Sequence, residues 1–224
     1  MRKNLVTAVV AAAMLVCSAL PSLAQAPFNP PTVTSASEIP YPIHSIADGV
    51  VVLDVSLDNK GAVTGSAVAR DIPSLTSPAT SAIQSWKFKL ASGQSKTEPS
   101  VMRVAVVFRP RSYLAAAPAF TAILSEIDPN RADQRYVPPG IVSVTYPQYP
   151  INAAAPGTVV VQVTVGKSGA IQRTKVVRDL PPFTQFAISA ANKWHFQAAT
   201  LDGNAKTSNI AIAFVFAPLS ANEF

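Results

Sequence analysis

Cysteine is almost missing from this chain of 224 residues: the only one is Cys17, inside an apolar run near the N-terminus. Histidine is nearly as scarce, with His44 and His195 alone, and charged residues make up only 13% of the sequence. With one cysteine there is no intrachain disulfide and no cysteine-rich metal site. Two histidines far apart in sequence give no zinc motif, and no Gly-x-Ser-x-Gly, phosphate-cradling glycine loop or histidine–carboxylate cluster is present. The sequence therefore offers nothing to support an enzyme, a cofactor or a bound metal. Eighteen Lys and Arg outnumber twelve Asp and Glu, for a net charge of +6, but the cations are scattered singly. That reads as a mildly basic surface and not as a nucleic-acid groove.

What the chain does have begins with Arg2 and Lys3, an apolar and small-residue run from Leu5 to Leu20, Pro21, and then Ser22-Leu23-Ala24-Gln25-Ala26. A short charged start, an apolar run below bilayer-spanning length and an A-x-A ending predict a cleaved signal peptide over residues 1–26, cut after Ala26 or Ala24. An uncleaved inner-membrane anchor is the alternative. Cleavage places the protein in the periplasm or outside the cell and leaves the exported chain without any cysteine.

The body of the sequence carries one pattern twice. Tyr41-Pro42-Ile43, Gly49, Gly61, Arg70-Asp71, Pro73, Trp86-x-Phe88 and Phe108-x-Pro110 recur as Tyr149-Pro150-Ile151, Gly157, Gly169, Arg178-Asp179, Pro181, Trp194-x-Phe196 and Phe216-x-Pro218, each offset by 108 positions. Residues 41–110 slide over 149–218 without a gap at roughly a third identity. The reading is a tandem repeat of two domains, 41–110 and 149–218. Around them lie a flexible Pro/Ser/Thr-rich lead (27–40), a connector (111–148) with a short helix over Tyr113–Leu124, and a tail (219–224).

Within each unit the β-branched run Val50–Leu57 predicts a strand, Asp58-Asn59-Lys60-Gly61 a turn closed by a left-handed glycine, and Ala62–Arg70 the returning strand. Ser77-Pro78 predicts a helix start, with Ala79, Ala82, Ile83 and Trp86 on one face. Phe183, Phe186, Ala187, Ala190 and Trp194 do the same in the second copy. A third strand alternates Val104, Val106 and Phe108, and its counterpart Ile212, Phe214 and Phe216. The fold class expected is α+β: two units, each a small three-stranded antiparallel sheet packed with one helix.

The order Tyr-Pro, Gly49 to Val55, Gly61, Ala79-x-x-Ala82, Trp86-Lys87-Phe88 and Val104 to Phe108, seen again at Tyr149-Pro150, Gly157 to Val163, Gly169, Ala187 to Ala190, Trp194-His195-Phe196 and Ile212 to Phe216, resembles the C-terminal domain of TonB, the energy transducer of Gram-negative envelopes. The resemblance implies a periplasmic binding domain whose partners are envelope proteins, including extended segments of outer-membrane transporters, engaged by β-strand addition. The third strands, Val101 to Arg109 and Asn209 to Ala217, are the edges this implies. Val104, Val106, Phe108, Arg109, Ile212, Phe214 and Phe216 are then the partner-binding residues, with Arg70, Asp71, Arg178 and Asp179 as a polar rim. The alternative is a structural or assembly protein whose sheet edges pair within the chain or in a homodimer, leaving no peptide groove. For the repeated Arg-Asp pairs the competing role is local, serving the turn before the helix. For His195 it is compensation of a helix C-terminus.

Overall fold

The computed structural model describes residues 28–42, 45, 47–92, 100–109, 121–124, 134–149 and 156–217. The signal peptide with its cleavage positions, His44, most of the expected connector helix and the tail lie outside the described residues.

In chain order the elements are β1 (Thr32–Ser35), β2 (Gly49–Leu57), β3 (Val63–Arg70), α1 (Pro73–Ile83), β4 (Lys87–Lys89), β5 (Ser100–Arg109), β6 (Thr121–Ile123), β7 (Tyr136–Val137), β8 (Gly140–Thr145), β9 (Gly157–Val165), β10 (Ile171–Arg178), α2 (Phe183–Ala191), β11 (His195–Gln197), β12 (Ala199–Leu201), β13 (Asn204–Lys206) and β14 (Ser208–Phe216). The end of the expected connector helix is strand β6, paired antiparallel with β8.

The valine-rich runs form long strands because alternate side chains are buried on both faces of one sheet. Asp58 builds the first hairpin turn: its carboxylate accepts from the N–H groups of Lys60 and Ala62, both at 2.8 Å. Gly61 closes that turn at φ +78° and Gly169 closes the second at +84°. A Cβ at either would meet the carbonyl oxygen of Phe88 or Phe196, at 1.9 and 2.3 Å. The glycine and the Trp-x-Phe segment thus recur together because the turn lies directly on that backbone.

Helix α1 starts earlier than Ser77-Pro78 suggested. Pro73 occupies its first turn and Pro78 falls inside it, leaving the exposed Ser74 carbonyl to solvent. Thr76 explains the early start: its hydroxyl accepts the Ile72 N–H at 3.0 Å, and Thr184 serves Leu180 in the same way at 2.8 Å before α2.

Two separate three-stranded sheets are not what forms. The six long strands make one sheet in the order β10-β9-β14-β5-β2-β3, with β5 and β14 side by side and parallel at its centre. The two helices lie on opposite faces. Leu75, Ala79 and Ile83 of α1 pack with Val51, Leu53, Val104, Val106 and Phe108. Phe183, Ala187 and Ala190 of α2 pack with Val159, Val161, Ile212, Phe214 and Phe216. Residues at an offset of 108 therefore point to opposite sides of the sheet, which describes a pseudo-two-fold axis running along the strands between β5 and β14.

The lead read as flexible is an ordered arm. Strand β1 pairs with β4 through Thr32↔Lys89, Val33↔Phe88 and Ser35↔Lys87, and β8 pairs with β11 through Gly140↔Gln197, Ile141↔Phe196 and Ser143↔His195. Every one of those partners is again 108 positions apart, the register shift included. Each arm also crosses the other half's strands. The Val33 N–H donates to Gln162 at 2.8 Å, Ile39 exchanges two hydrogen bonds with Thr158, both 3.0 Å, and Asn209 donates to the Pro31 carbonyl at 2.9 Å. In return Arg103 donates to the Pro139 carbonyl of the second arm at 3.2 Å. Each half so covers one whole face of the sheet, its helix over its own strands and its arm over its neighbour's.

Candidate interaction surface

The third strands are where the resemblance puts partner binding, and their geometry is unambiguous. Strand β5 is bonded to β2 on one side and to β14 on the other, and β14 to β5 and β9. Neither is an edge. Val104, Val106, Phe108, Ile212, Phe214 and Phe216 are all fully buried, and Arg109 is nearly so. The expectation that these strands offer edges is thus corrected by the parallel β5–β14 pairing: each half uses its own third strand to close the other's.

The repeated Arg-Asp pairs do not rim a groove between the third strands. Arg70 and Asp71 are exposed at the end of β3. Arg178 donates to the Thr158 carbonyl at 3.1 Å and bridges to Glu38 at 3.2 Å, tying the first arm to the end of β10. Asp179 accepts from the Thr184 hydroxyl at 2.5 Å, at the entrance to α2. In the second half, then, Asp179 serves the local turn into α2, while Arg178 holds the first arm. His195 is exposed and shares a hydrogen bond with Ser143 at 2.9 Å across the β8–β11 pair.

The sheet's open edges are instead β3 and β10, which among the described residues pair only with β2 and β9. Each is bulged at both ends, leaving regular pairing across Gly65–Val68 in β3 and Arg173–Val176 in β10. The two windows differ in chemistry. Arg173 and Lys175 stand on β10 where β3 has Gly65 and Ala67, so one edge is guarded by cations and the other is small and neutral. Val68, 49% exposed, lies within the neutral window.

A polar cluster sits under the second arm. Arg103 is fully buried and meets Asp54 in a two-pronged ion pair at 2.6 and 2.8 Å. Close by, Tyr136 and Ser208 share a hydrogen bond of 2.6 Å. Burial pushes the Tyr136 phenol up to about 12, and Tyr41 likewise to about 12. Arg103, Tyr136 and Ser208 are buried and present nothing to solvent for chemistry, and the Arg103–Pro139 bond ties the second arm to the cluster. Among the described residues no group of three His, Cys, Asp or Glu is placed to hold a metal ion, and no helix is long and apolar enough to cross a membrane.

The arms and the β3 edge were missed from sequence. Within the arms themselves the signal is the pairs Pro30-Pro31 and Pro138-Pro139, which share the 108-residue offset.

Fold and surface together define an α+β protein with a closed central seam, two covered faces and two open edges. Residues 142–218 match the family model of the Gram-negative bacterial TonB protein C-terminal. That stretch runs from within β8 to just past β14. No curated protein and no solved structure matches the chain.

Proposed function

We propose that this is an exported, periplasmic TonB C-terminal-like protein, made of two copies of one unit, that works in the envelope by binding and not by catalysis. Within that reading it is the self-paired form. The third strands, which the family resemblance assigns to partner peptides, are used by each other, and the protein acts as a rigid scaffold whose contacts with envelope proteins lie outside the central seam. The observation that carries this is the seven-residue parallel ladder from Arg103 to Arg109 against Ile210 to Phe216. Opening it would expose two rows of backbone donors and acceptors and the cores beneath both helices.

Hydrogen exchange of the exported chain, without any ligand, tests the reading. The amides of β5 and β14 are expected among the slowest in the molecule, and extended peptides from transporter N-termini are expected to leave them unchanged. Fast exchange there, or protection gained only on adding such a peptide, would mean that the seam opens and the third strands are the binding edges after all. Mass spectrometry of the N-terminus from the envelope fraction checks export: a chain beginning after Ala26 or Ala24 fits a periplasmic protein, and an intact one in the inner membrane does not.

A further inference from the structure

The two arms are counterparts that differ in what runs beside them. In the second half β8 is the middle strand of three, with β11 on one side and β6 on the other, whereas β1 pairs with β4 alone among the described residues. Strand β6 runs antiparallel to β8 through Thr121↔Thr145, Ala122↔Val144 and Ile123↔Ser143, and the Leu124 N–H donates to the Val142 carbonyl at 3.0 Å. At the 108-residue offset those β8 residues become Ser37, Ala36, Ser35 and Thr34 of the first arm. We propose that this side of the first arm is a docking edge for a short extended segment of an envelope partner, taken up antiparallel as β8 takes up β6. The edge rests on the arm geometry; that an envelope protein fills it rests on the function proposed above.

Two observations mark that side as built for a strand. Thr145 shares a hydrogen bond with the Thr121 hydroxyl of β6 at 3.0 Å, and its carbonyl accepts the Trp194 indole N–H at 3.0 Å. Its counterpart Ser37 turns its hydroxyl to the end of α1 instead, 3.2 Å from the Ala82 carbonyl and 2.7 Å from the Ser85 hydroxyl. The buried indole nitrogen of Trp86 has no hydrogen-bond partner among the described residues. Where a strand lies against the arm, indole and arm carbonyl meet; where none does, they stay apart.

The repeat does not supply the strand itself. The counterparts of β6 are residues 13–15, within the apolar run read as a signal peptide, and a cut after Ala24 or Ala26 removes them. What the edge takes is read from β6. Ala122 packs half-buried against the core under α2 and Leu124 is buried in it, while Thr121 and Ile123 are exposed. The fitting segment is therefore extended and uncharged over four residues. It sets a small apolar residue against Ala36 and a large aliphatic one two positions on, and main-chain bonds give most of its hold. The N–H groups that face a partner alternate along an antiparallel strand, so Ala122 presents its own to the arm as Leu124 does.

NMR of the ¹⁵N-labelled exported chain, titrated with a synthetic peptide of residues 119–126, tests this. The Trp86 indole signal and the amides of Ser35 to Ser37 are expected to shift together, and those amides to exchange more slowly, while the Trp194 indole stays in place. The same peptide carrying Ala122→Pro lacks the N–H that faces the edge and should bind at least about tenfold more weakly. A peptide that moves neither Trp86 nor Ser35 to Ser37 overturns the proposal. So does a proline peptide that binds as well, or a peptide that shifts Trp194 alone by replacing β6. The amides of β5 and β14, followed in the same samples, judge the closed seam separately: if they stay slow, that reading stands whatever the arm does.

Discussion

Ala105 lies opposite Ile212 in the central ladder, and not opposite Ala213, its counterpart 108 positions on. The slip of one residue is demanded by the arrangement of the halves. Neighbours across a sheet share a face, whereas counterparts in this chain point to opposite faces, so a parallel register can only be offset by an odd number. A zero offset would turn either Val104, Val106 and Phe108 or Ile212, Phe214 and Phe216 away from the helix each set packs on.

Because both cores meet on this seam, the chain should unfold as one unit. Val160, Ala211, Ala213 and Val215 contribute to the core under α1, and Val50, Val52, Ala105 and Val107 to the core under α2. Phe214→Ala, a fully buried position, is expected to cost about 3–5 kcal/mol. In each single-tryptophan variant, followed by fluorescence in urea, Phe214→Ala should lower that variant's own midpoint by a comparable amount, whether Trp86 or Trp194 reports. A shift reported by Trp194 alone would mean independent domains.

The two tryptophans occupy counterpart positions but are satisfied differently. Trp194 donates its indole N–H to the Thr145 carbonyl at 3.0 Å, while the buried indole nitrogen of Trp86 has no hydrogen-bond partner among the described residues. Replacing Trp194 by Phe leaves a buried carbonyl short of its donor; replacing Trp86 by Phe removes an unsatisfied group. Trp194→Phe should therefore destabilise by about 1–3 kcal/mol more than Trp86→Phe. Urea midpoints of the two variants decide it, and equal costs would count against the asymmetry.

Much of this could be read from residues alone. The Asp58 turn, the left-handed Gly61 and Gly169, the apolar faces of both helices and the α+β class follow from local rules that hold wherever the unit is placed. The arms could not be read that way. Residues 32–40 and 140–148 share only Ser35 and Ser143, because what they need is a backbone path. Much of their hold on the sheet comes from single polar side chains such as Gln162, Thr158 and Arg103, which recognise main-chain groups. The central seam was illegible for a related reason: an apolar strand bonded on both sides and an apolar edge strand read alike until the partner is seen. Polar residues inside apolar strands, Asp54 with Arg103 above all, were the available hint that something covers the sheet there.

Alkaline pH should loosen the fold through its buried phenols. In the unfolded chain a tyrosine ionises near 10, whereas Tyr136 and Tyr41 are held up to about 12 by burial. A raised folded-state value means that this contribution is complete below pH 10 and is lost as pH climbs from about 10 through about 12. For Tyr136 the full difference corresponds to on the order of 3 kcal/mol. Urea midpoints measured across that window should fall steeply, and Tyr136→Phe should flatten the fall while costing about 1 kcal/mol at neutral pH through the lost bond to Ser208. A midpoint as pH-dependent in the variant as in the parent would exclude Tyr136 as a source.

The Arg103–Asp54 pair should prove costly to break and cheap to replace. Asp54→Ala leaves a guanidinium buried beneath the second arm, still bonded to the Pro139 carbonyl but without its carboxylate, and is expected to cost about 3–5 kcal/mol. Replacing both, Asp54→Leu with Arg103→Met, removes two desolvated charges together and should restore most of that loss. The arm then loses the bond that positions Pro139, so the double variant is expected to regain stability while amides of Tyr136 to Thr145 exchange faster than in the parent. Thermal unfolding and hydrogen exchange on the parent, the single and the double variant separate the two effects. A double variant as unstable as Asp54→Ala would show that the pair supplies net stability and not placement of the arm.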